Sequence, residues 1–262
     1  MCQNHCVEGD PRLYIGVSTK AYLGYKQTGL WIAAARAALS VRPELAELGI
    51  RVFVAPSAPL ILEAKAALAE FDCWVGAQDG QWQTGAATGA VSMQLLGEIG
   101  ADFVELGHAE RFSVFGETAD ETRRKAEAAG AAGLRVLLCI GEPARSSPEI
   151  AADHCLEQIR VVVQGGGIPL GRTLFAYEPW WAIGANRAAE PGYVNAVIAT
   201  VKRRIHDEFA GQSLGVVYGG SAGPGTLGPL DHADGIFLGR FAHDPANFAR
   251  VLDEAIARRR DR

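Results

Sequence analysis

Eight short apolar or β-branched runs alternate along this chain with eight longer amphipathic runs, and nothing else in the sequence restricts its fold so strongly. The runs of strand type are Leu13 to Val17, Arg51 to Ala55, Cys73 to Ala77, Asp102 to Leu106, Arg135 to Cys139, Leu174 to Tyr177, Gly215 to Tyr218 and Gly235 to Gly239. Helical patterns cover Leu30 to Leu48, Pro59 to Phe71, Ser92 to Ile99, Thr118 to Ala129, Pro148 to Val163, Tyr193 to Phe209, a short stretch near Pro224 to Leu230, and Asn247 to Arg258. Strand followed by helix, repeated, predicts parallel strands joined by right-handed crossovers. Eight such units close naturally into a (β/α)8 barrel, and roughly 200–250 residues is a usual size for such a barrel as one domain. With 262 residues and no linker or compositional break, one domain over residues 1–262 is expected, with 1–11 as a flexible tail. An open doubly wound sheet would use the same elements. Against it, no G-x-G-x-x-G turn follows the first strand, and the chemically useful residues fall at several different strand ends.

Composition excludes several kinds of partner. The formal charge is −5 and the lysines and arginines are scattered, so no basic stripe could track a phosphate backbone and nucleic acid is not expected. Arg36, Glu63 and Lys65 interrupt the best apolar candidates well short of the roughly 18 residues a membrane helix needs. The start, MCQNHCVEGDPR, lacks the basic segment and apolar core of a signal peptide. Five cysteines, an odd number without regular spacing, fit reduced thiols, so a cytoplasmic protein is expected. Cys2, His5 and Cys6 could ligate a metal, but three such residues on a terminus read more simply as a frayed end, and no metal is expected.

Chemistry collects at the strand ends. In Phe175 to Ala185, FAYEPWWAIGA, a buried strand delivers Glu178, Pro179 stops the strand, and Trp180, Trp181 and Ile183 are too apolar for an idle solvent loop. Ser18 and Lys20 follow the first strand, Gln78 the third, and His108 and Glu110 the fourth. A barrel brings all these ends to one face. Singly, each has a blander reading: a satisfied histidine, a solvated lysine, an acid facing water. Together, a lysine, a histidine and a glutamate suit proton transfer beside a carbonyl of an anionic substrate. The anion is expected at the glycine-rich loops YGGSAGPG (Tyr218 to Gly225) and LGRFA (Leu238 to Ala242), each predicted to lead into a helical segment with free N–H groups. Two such loops after strands seven and eight match the usual phosphate site of barrels. Cys139 reads as a small core residue, and Gln78 and Arg111 as structural.

These segments together resemble the triosephosphate isomerase family. AYEPWWAIG is similar to that family's catalytic strand and lid, ELGHAER to its histidine loop, YGGS and DGIFLG to its phosphate loops, TGAATGAVS to its dimer loop, and CIGE to the end of its fifth strand. The resemblance implies a TIM barrel that isomerises a sugar phosphate without a cofactor. It implies Glu178 as the base, His108 as a neutral electrophile, Lys20 as the group that steers and neutralises the substrate, and Glu110 as the acid after the histidine. Gly184, Ser221 and Gly239 take the phosphate-binding positions, and residues 85–92 imply a homodimer.

Five positions depart from the family's pattern. Its first strand normally ends Asn-Trp-Lys where Ser18, Thr19 and Lys20 stand here; its serine after the histidine is Ala109; its second phosphate-loop glycine is Arg240; and its dimer-loop glutamate is Ala90. Ser18 removes an amide and opens space beside the reacting end of the substrate. Replacing the aldehyde hydrogen of glyceraldehyde 3-phosphate by CH2OH gives a tetrulose 4-phosphate, and the added group falls where Ser18 is small. GVSTK thus resembles the branch that interconverts L-erythrulose 1-phosphate and D-erythrulose 4-phosphate, with Ser18 and Arg240 joining the substrate-binding set. Triosephosphate isomerase activity itself is the alternative. A catalytically silent barrel, or a barrel for glycerol or indole phosphates, has no reason to carry EPWWAIG and GHAER in register.

Overall fold

The computed structural model describes residues 13–163, 170–209 and 213–261. Its strands are β1 (Leu13–Ser18), β2 (Ile50–Ala55), β3 (Cys73–Val75), β4 (Phe103–Leu106), β5 (Arg135–Ile140), β6 (Thr173–Tyr177), β7 (Gly215–Tyr218) and β8 (Gly235–Leu238). All are parallel, in the order β3-β2-β1-β8-β7-β6-β5-β4. The ring closes just past β3, where Ala77 N–H donates to Phe103 O (3.0 Å) and Glu105 N–H to Ala77 O (2.8 Å). The expected (β/α)8 barrel is therefore the observed fold.

The strands are buried on both faces, which is why their sequences read as nearly continuous apolar runs rather than as alternation. Alternate residues still point to opposite sides. Tyr14, Phe53, Trp74, Phe103, Leu137 and Phe237 belong to the cluster that fills the barrel, while Ile15, Val52, Val104 and Val136 pack outward in a second cluster with the helices. Gly16 makes the inner layer possible, because a Cβ there would lie 2.0 Å from the Phe53 ring. Large aromatic side chains plug the bottom of the barrel. Smaller or polar ones, Ser18, Glu105 and Cys139, share the inward parity nearer the carboxyl ends.

The outer ring comprises α1 (Tyr25–Ser40), α2 (Glu44–Glu47), α3 (Ile61–Leu68), α4 (Met93–Glu98), α5 (Ala109–Phe115), α6 (Ala119–Ala131), α7 (Pro148–Val163), α8 (Pro191–Phe209) and α9 (Pro245–Arg260). Thr118 and Glu121 form a reciprocal capping box at the start of α6, and Asp244 caps α9. The expected helix over Leu30 to Leu48 begins earlier and is broken after Ser40, since Pro43 disfavours helical geometry at Arg42. Helix α5 was not anticipated. The short helix expected at Pro224 to Leu230 is absent: the segment is a series of turns, as Gly225 at φ +83° and the prolines at 224 and 229 require. The loop after β7 therefore offers an anion turn backbone and no helix end. After β8 a 3-10 turn, Arg240–His243, follows Gly239 directly.

Arg111 and the buried Lys125 both pair with Asp79 and Glu117, tying α5 and α6 to the loop after β3. Arg111 thus has the structural place expected of it. No helix among the described residues is long and apolar enough to cross a membrane, and none of their His, Cys, Asp and Glu side chains cluster as a metal site. Cys2, His5 and Cys6 lie outside the described residues.

Candidate active site

The carboxyl ends of the strands open into one cavity, lined among others by Ser18, Lys20, His108, Glu110, Glu178, Gly184, Ser221, Gly239 and Arg240. Each residue nominated at these strand ends from the sequence, except Gln78, reaches it.

Glu178 follows β6 directly and is buried, 4% exposed. Its side chain and its backbone both fit because two neighbours lack a Cβ. One at Gly219 would lie 2.3 Å from Glu178 Oε1, and one at Gly141 would lie 2.1 Å from the Glu178 carbonyl oxygen. Oε2 has no hydrogen-bond partner although it is buried. It lies 3.2 Å from His108 Nε2, out of hydrogen-bond alignment. The family's serine after the histidine is absent here, and Ala109 has no hydroxyl to offer this carboxylate.

His108 caps α5, and its Nδ1 accepts the Glu110 backbone N–H at 3.0 Å. An accepting Nδ1 carries no proton, so in the neutral ring the hydrogen sits on Nε2, the nitrogen that faces Glu178 and the cavity. This tautomer follows from heavy-atom positions alone. The arrangement provides a neutral N–H donor 3.2 Å from a carboxylate oxygen with no hydrogen-bond partner, the pair needed to polarise a carbonyl and move a proton on the adjacent carbon.

Lys20 stands beyond β1 with its Nζ 2.8 Å from Glu110 Oε1. Burial pulls its pKa down, but the Glu178 charge and the Glu110 hydrogen bond outweigh burial and leave it above the ordinary lysine value. The ammonium is thus held charged in the cavity. Its backbone sits at φ +46°, a left-handed conformation unusual for a residue with a side chain. Gln78 holds it there: Nε2 lies within 3.0–3.2 Å of Ala55 O, Lys20 O and Thr19 Oγ1. Gln78 thus positions the lysine from outside the cavity.

On the rim beyond β6, β7 and β8, Ser221, also in the left-handed region at φ +51°, donates from Oγ to Ala182 O at 2.8 Å. Arg240 Nη2 reaches Gly184 O at 3.4 Å. Gly184, Ser221, Gly239 and Arg240 therefore form a contiguous rim to which Arg240 brings a second positive charge.

The family model for triosephosphate isomerase matches residues 13–255. The chain belongs to the triosephosphate isomerase family. A relative named L-erythrulose-1-phosphate isomerase, from Pectobacterium atrosepticum, is 40% identical over 93% of this chain and 96% of its own length. One of the same name from Mycolicibacterium smegmatis is 33% identical over 95% of each chain. A triosephosphate isomerase from Halorhodospira halophila is 36% identical over 77% of this chain and 84% of its own. Family membership makes the protein an enzyme of the triosephosphate isomerase type.

The loop after β6 is held by its aromatic residues. Trp181 Nε1 donates to Glu142 Oε1 at 2.8 Å, and the fully buried Glu142 also accepts from the hydroxyls of Tyr177 (3.1 Å) and Tyr193 (2.8 Å). Trp180 stacks on Phe112 of α5. Tyr218 OH accepts the Ala189 N–H at the far end of the loop. Sequence reading missed Glu142 and Phe112 because their partners are distant in the chain. It missed Gly219 as a space for Glu178, although its place in the YGGS loop was a visible signal.

Proposed function

We propose that the protein interconverts L-erythrulose 1-phosphate and D-erythrulose 4-phosphate through an enediolate. The observation that carries the reaction type is the meeting of Lys20, His108 and Glu178 in one cavity with the His108 Nε2–H facing Glu178. Glu178 takes the proton from C3, beside the C2 carbonyl, while His108 donates to the carbonyl oxygen and Lys20 offsets negative charge. The electron pair left at C3 moves into the enediolate. Return of a proton to C2 reduces that carbon as C3 becomes the ketone, so no external oxidant or reductant is needed. Glu110 positions both Lys20 and His108. Gly184, Ser221, Gly239 and Arg240 bind the phosphate. A silent barrel has no use for this assembly.

Substrate choice rests on the relatives' names and on Ser18, whose small side chain lines the cavity next to the Lys20 loop. Ser18→Asn is expected to depress kcat/KM for L-erythrulose 1-phosphate at least about tenfold, since overfilling a packed site commonly costs about 1–3 kcal/mol. Turnover of dihydroxyacetone phosphate should fall less or rise. A wild type that turns over dihydroxyacetone phosphate far better than any tetrulose phosphate would instead be a triosephosphate isomerase, the activity the Halorhodospira relative is named for.

The same reading places the enzyme in the cytoplasm, as the free thiols of Cys73, Cys139 and Cys155 suit, and makes it a homodimer through residues 85–92. Residues 83–86 and 88–90 are exposed and available to a second subunit. Sedimentation at micromolar concentration is expected to give a dimer or a multiple of one, and a monomer would remove that part of the proposal.

A further inference from the structure

Strand β4 carries an acid where the barrel interior has little use for one. Phe103 belongs to the packed interior, so two residues on Glu105 points the same way, into the barrel just below the cavity. It is 3% exposed. No cation pairs with it among the described residues: Glu105 Oε1 has Cys139 Sγ at 4.0 Å, and Oε2 has no hydrogen-bond partner. Beside it, near enough to act on the carboxyl as a hydrogen-bond donor, is the Ser18 hydroxyl, itself 1% exposed and with no partner other than this acid, and Ser18 lines the cavity. Glu105 Oε2 and the Ser18 hydroxyl are thus neighbouring buried atoms with hydrogen-bonding capacity to spare, which native interiors rarely leave unused.

We propose that Glu105 is a specificity-positioning residue: its carboxyl aims the Ser18 hydroxyl at the reacting carbon, where Ser18 receives the additional hydroxymethyl group of a four-carbon ketose phosphate. The inference rests on the tetrulose-phosphate reading and extends it from a matter of space to one of hydrogen bonding. A small residue alone would admit the larger substrate. A hydroxyl held in place by a buried acid recognises it, and sites that hydrogen-bond a substrate hydroxyl discriminate far more strongly than sites that merely leave room.

The surroundings keep that acid in the form the role needs. Burial, with the Glu178 charge adding to it, pushes the Glu105 carboxyl up to about 8, against the opposing pull of Lys20 and the Ser18 hydroxyl. The groups facing it are Glu178 from β6, Lys20 from the β1 loop, Glu110 from α5 and the Cys139 thiol from β5, whose own pKa is driven well above its usual value by burial. Below pH 8 the carboxyl is protonated and can donate to Ser18 Oγ, leaving the serine O–H free to donate to the substrate. Above it, a second carboxylate near Glu178 would oppose the enediolate's negative charge.

The test is the ratio of kcat/KM for L-erythrulose 1-phosphate to that for dihydroxyacetone phosphate, measured within each protein so that general damage cancels. Glu105→Val and Ser18→Ala should each lower the ratio at least about tenfold, whereas Glu105→Gln, a neutral donor of the same shape, should hold it within about threefold and abolish the fall in tetrulose turnover expected of wild type as pH rises through 8. If Glu105→Val fails to fold, Ser18→Ala and the pH profile of Glu105→Gln decide. An unchanged ratio in the first two variants of an active wild type, or a fall above pH 8 that persists in Glu105→Gln, overturns the role of Glu105 and leaves the substrate assignment standing. A wild type inert toward erythrulose phosphates overturns both.

Discussion

Glu178→Gln is expected to lower kcat by about 10²–10⁴-fold, the usual contribution of a positioned general base, while a phosphorylated substrate analogue still binds within roughly tenfold, as fits a loss confined to the transition state. The split follows from the site. Glutamine has the same shape and fits the space left by Gly219, where nothing larger than a hydrogen can stand beside the carboxyl oxygens. What it cannot do is take a proton from carbon. The buried, unpartnered Glu178 Oε2 is the atom whose loss of basicity the experiment reads. Retained turnover with intact folding would remove the residue from its role and turn attention to another base.

Lys20→Ala acts on binding and turnover together. The ammonium is bound to Glu110, and the Glu178 charge helps to keep it protonated. Removing it leaves Arg240 at the rim as the only cation among the residues lining the cavity. Hydrogen bonds to charged groups contribute about 1.5–3 kcal/mol, so KM for a phosphorylated substrate should rise at least about tenfold and kcat should also fall, at roughly tenfold per 1.4 kcal/mol. Inhibition by inorganic phosphate should weaken in parallel. Unchanged phosphate inhibition would separate Lys20 from anion binding. Alanine inherits the left-handed backbone that Gln78 clamps, so the loop geometry is common to both proteins and the charge is what changes.

Much of this site was legible in the sequence for a topological reason. A barrel of parallel strands sends every carboxyl end to one face, so reading the residues just past each apolar run is already a reading of the cavity floor. Lys20, His108 and Glu178 needed no more than that. The helical signals were less faithful. Seven residues of α5 made too short a pattern to separate from a loop, though His108 at its start is what fixes the ring. Glycine and proline at 223–229 were outweighed by a chain-wide rhythm that called for a helix there, and local backbone chemistry won. Glu105 was hidden differently. Inside an apolar run an acid reads as an interruption, and only the parity it shares with Phe103 shows that it faces inward.

The loop after β6 has an optical consequence. Trp180 rests on Phe112 and Trp181 hydrogen-bonds to Glu142, so both indoles are coupled to the cover of the cavity. Trp31 and Trp74 are sealed in the interior, 2% and 8% exposed, away from the loop. With the half-exposed Trp82, which lies under Arg124, replaced by Phe, a change in emission on adding a phosphorylated ligand is expected to report on the surroundings of Trp180 and Trp181.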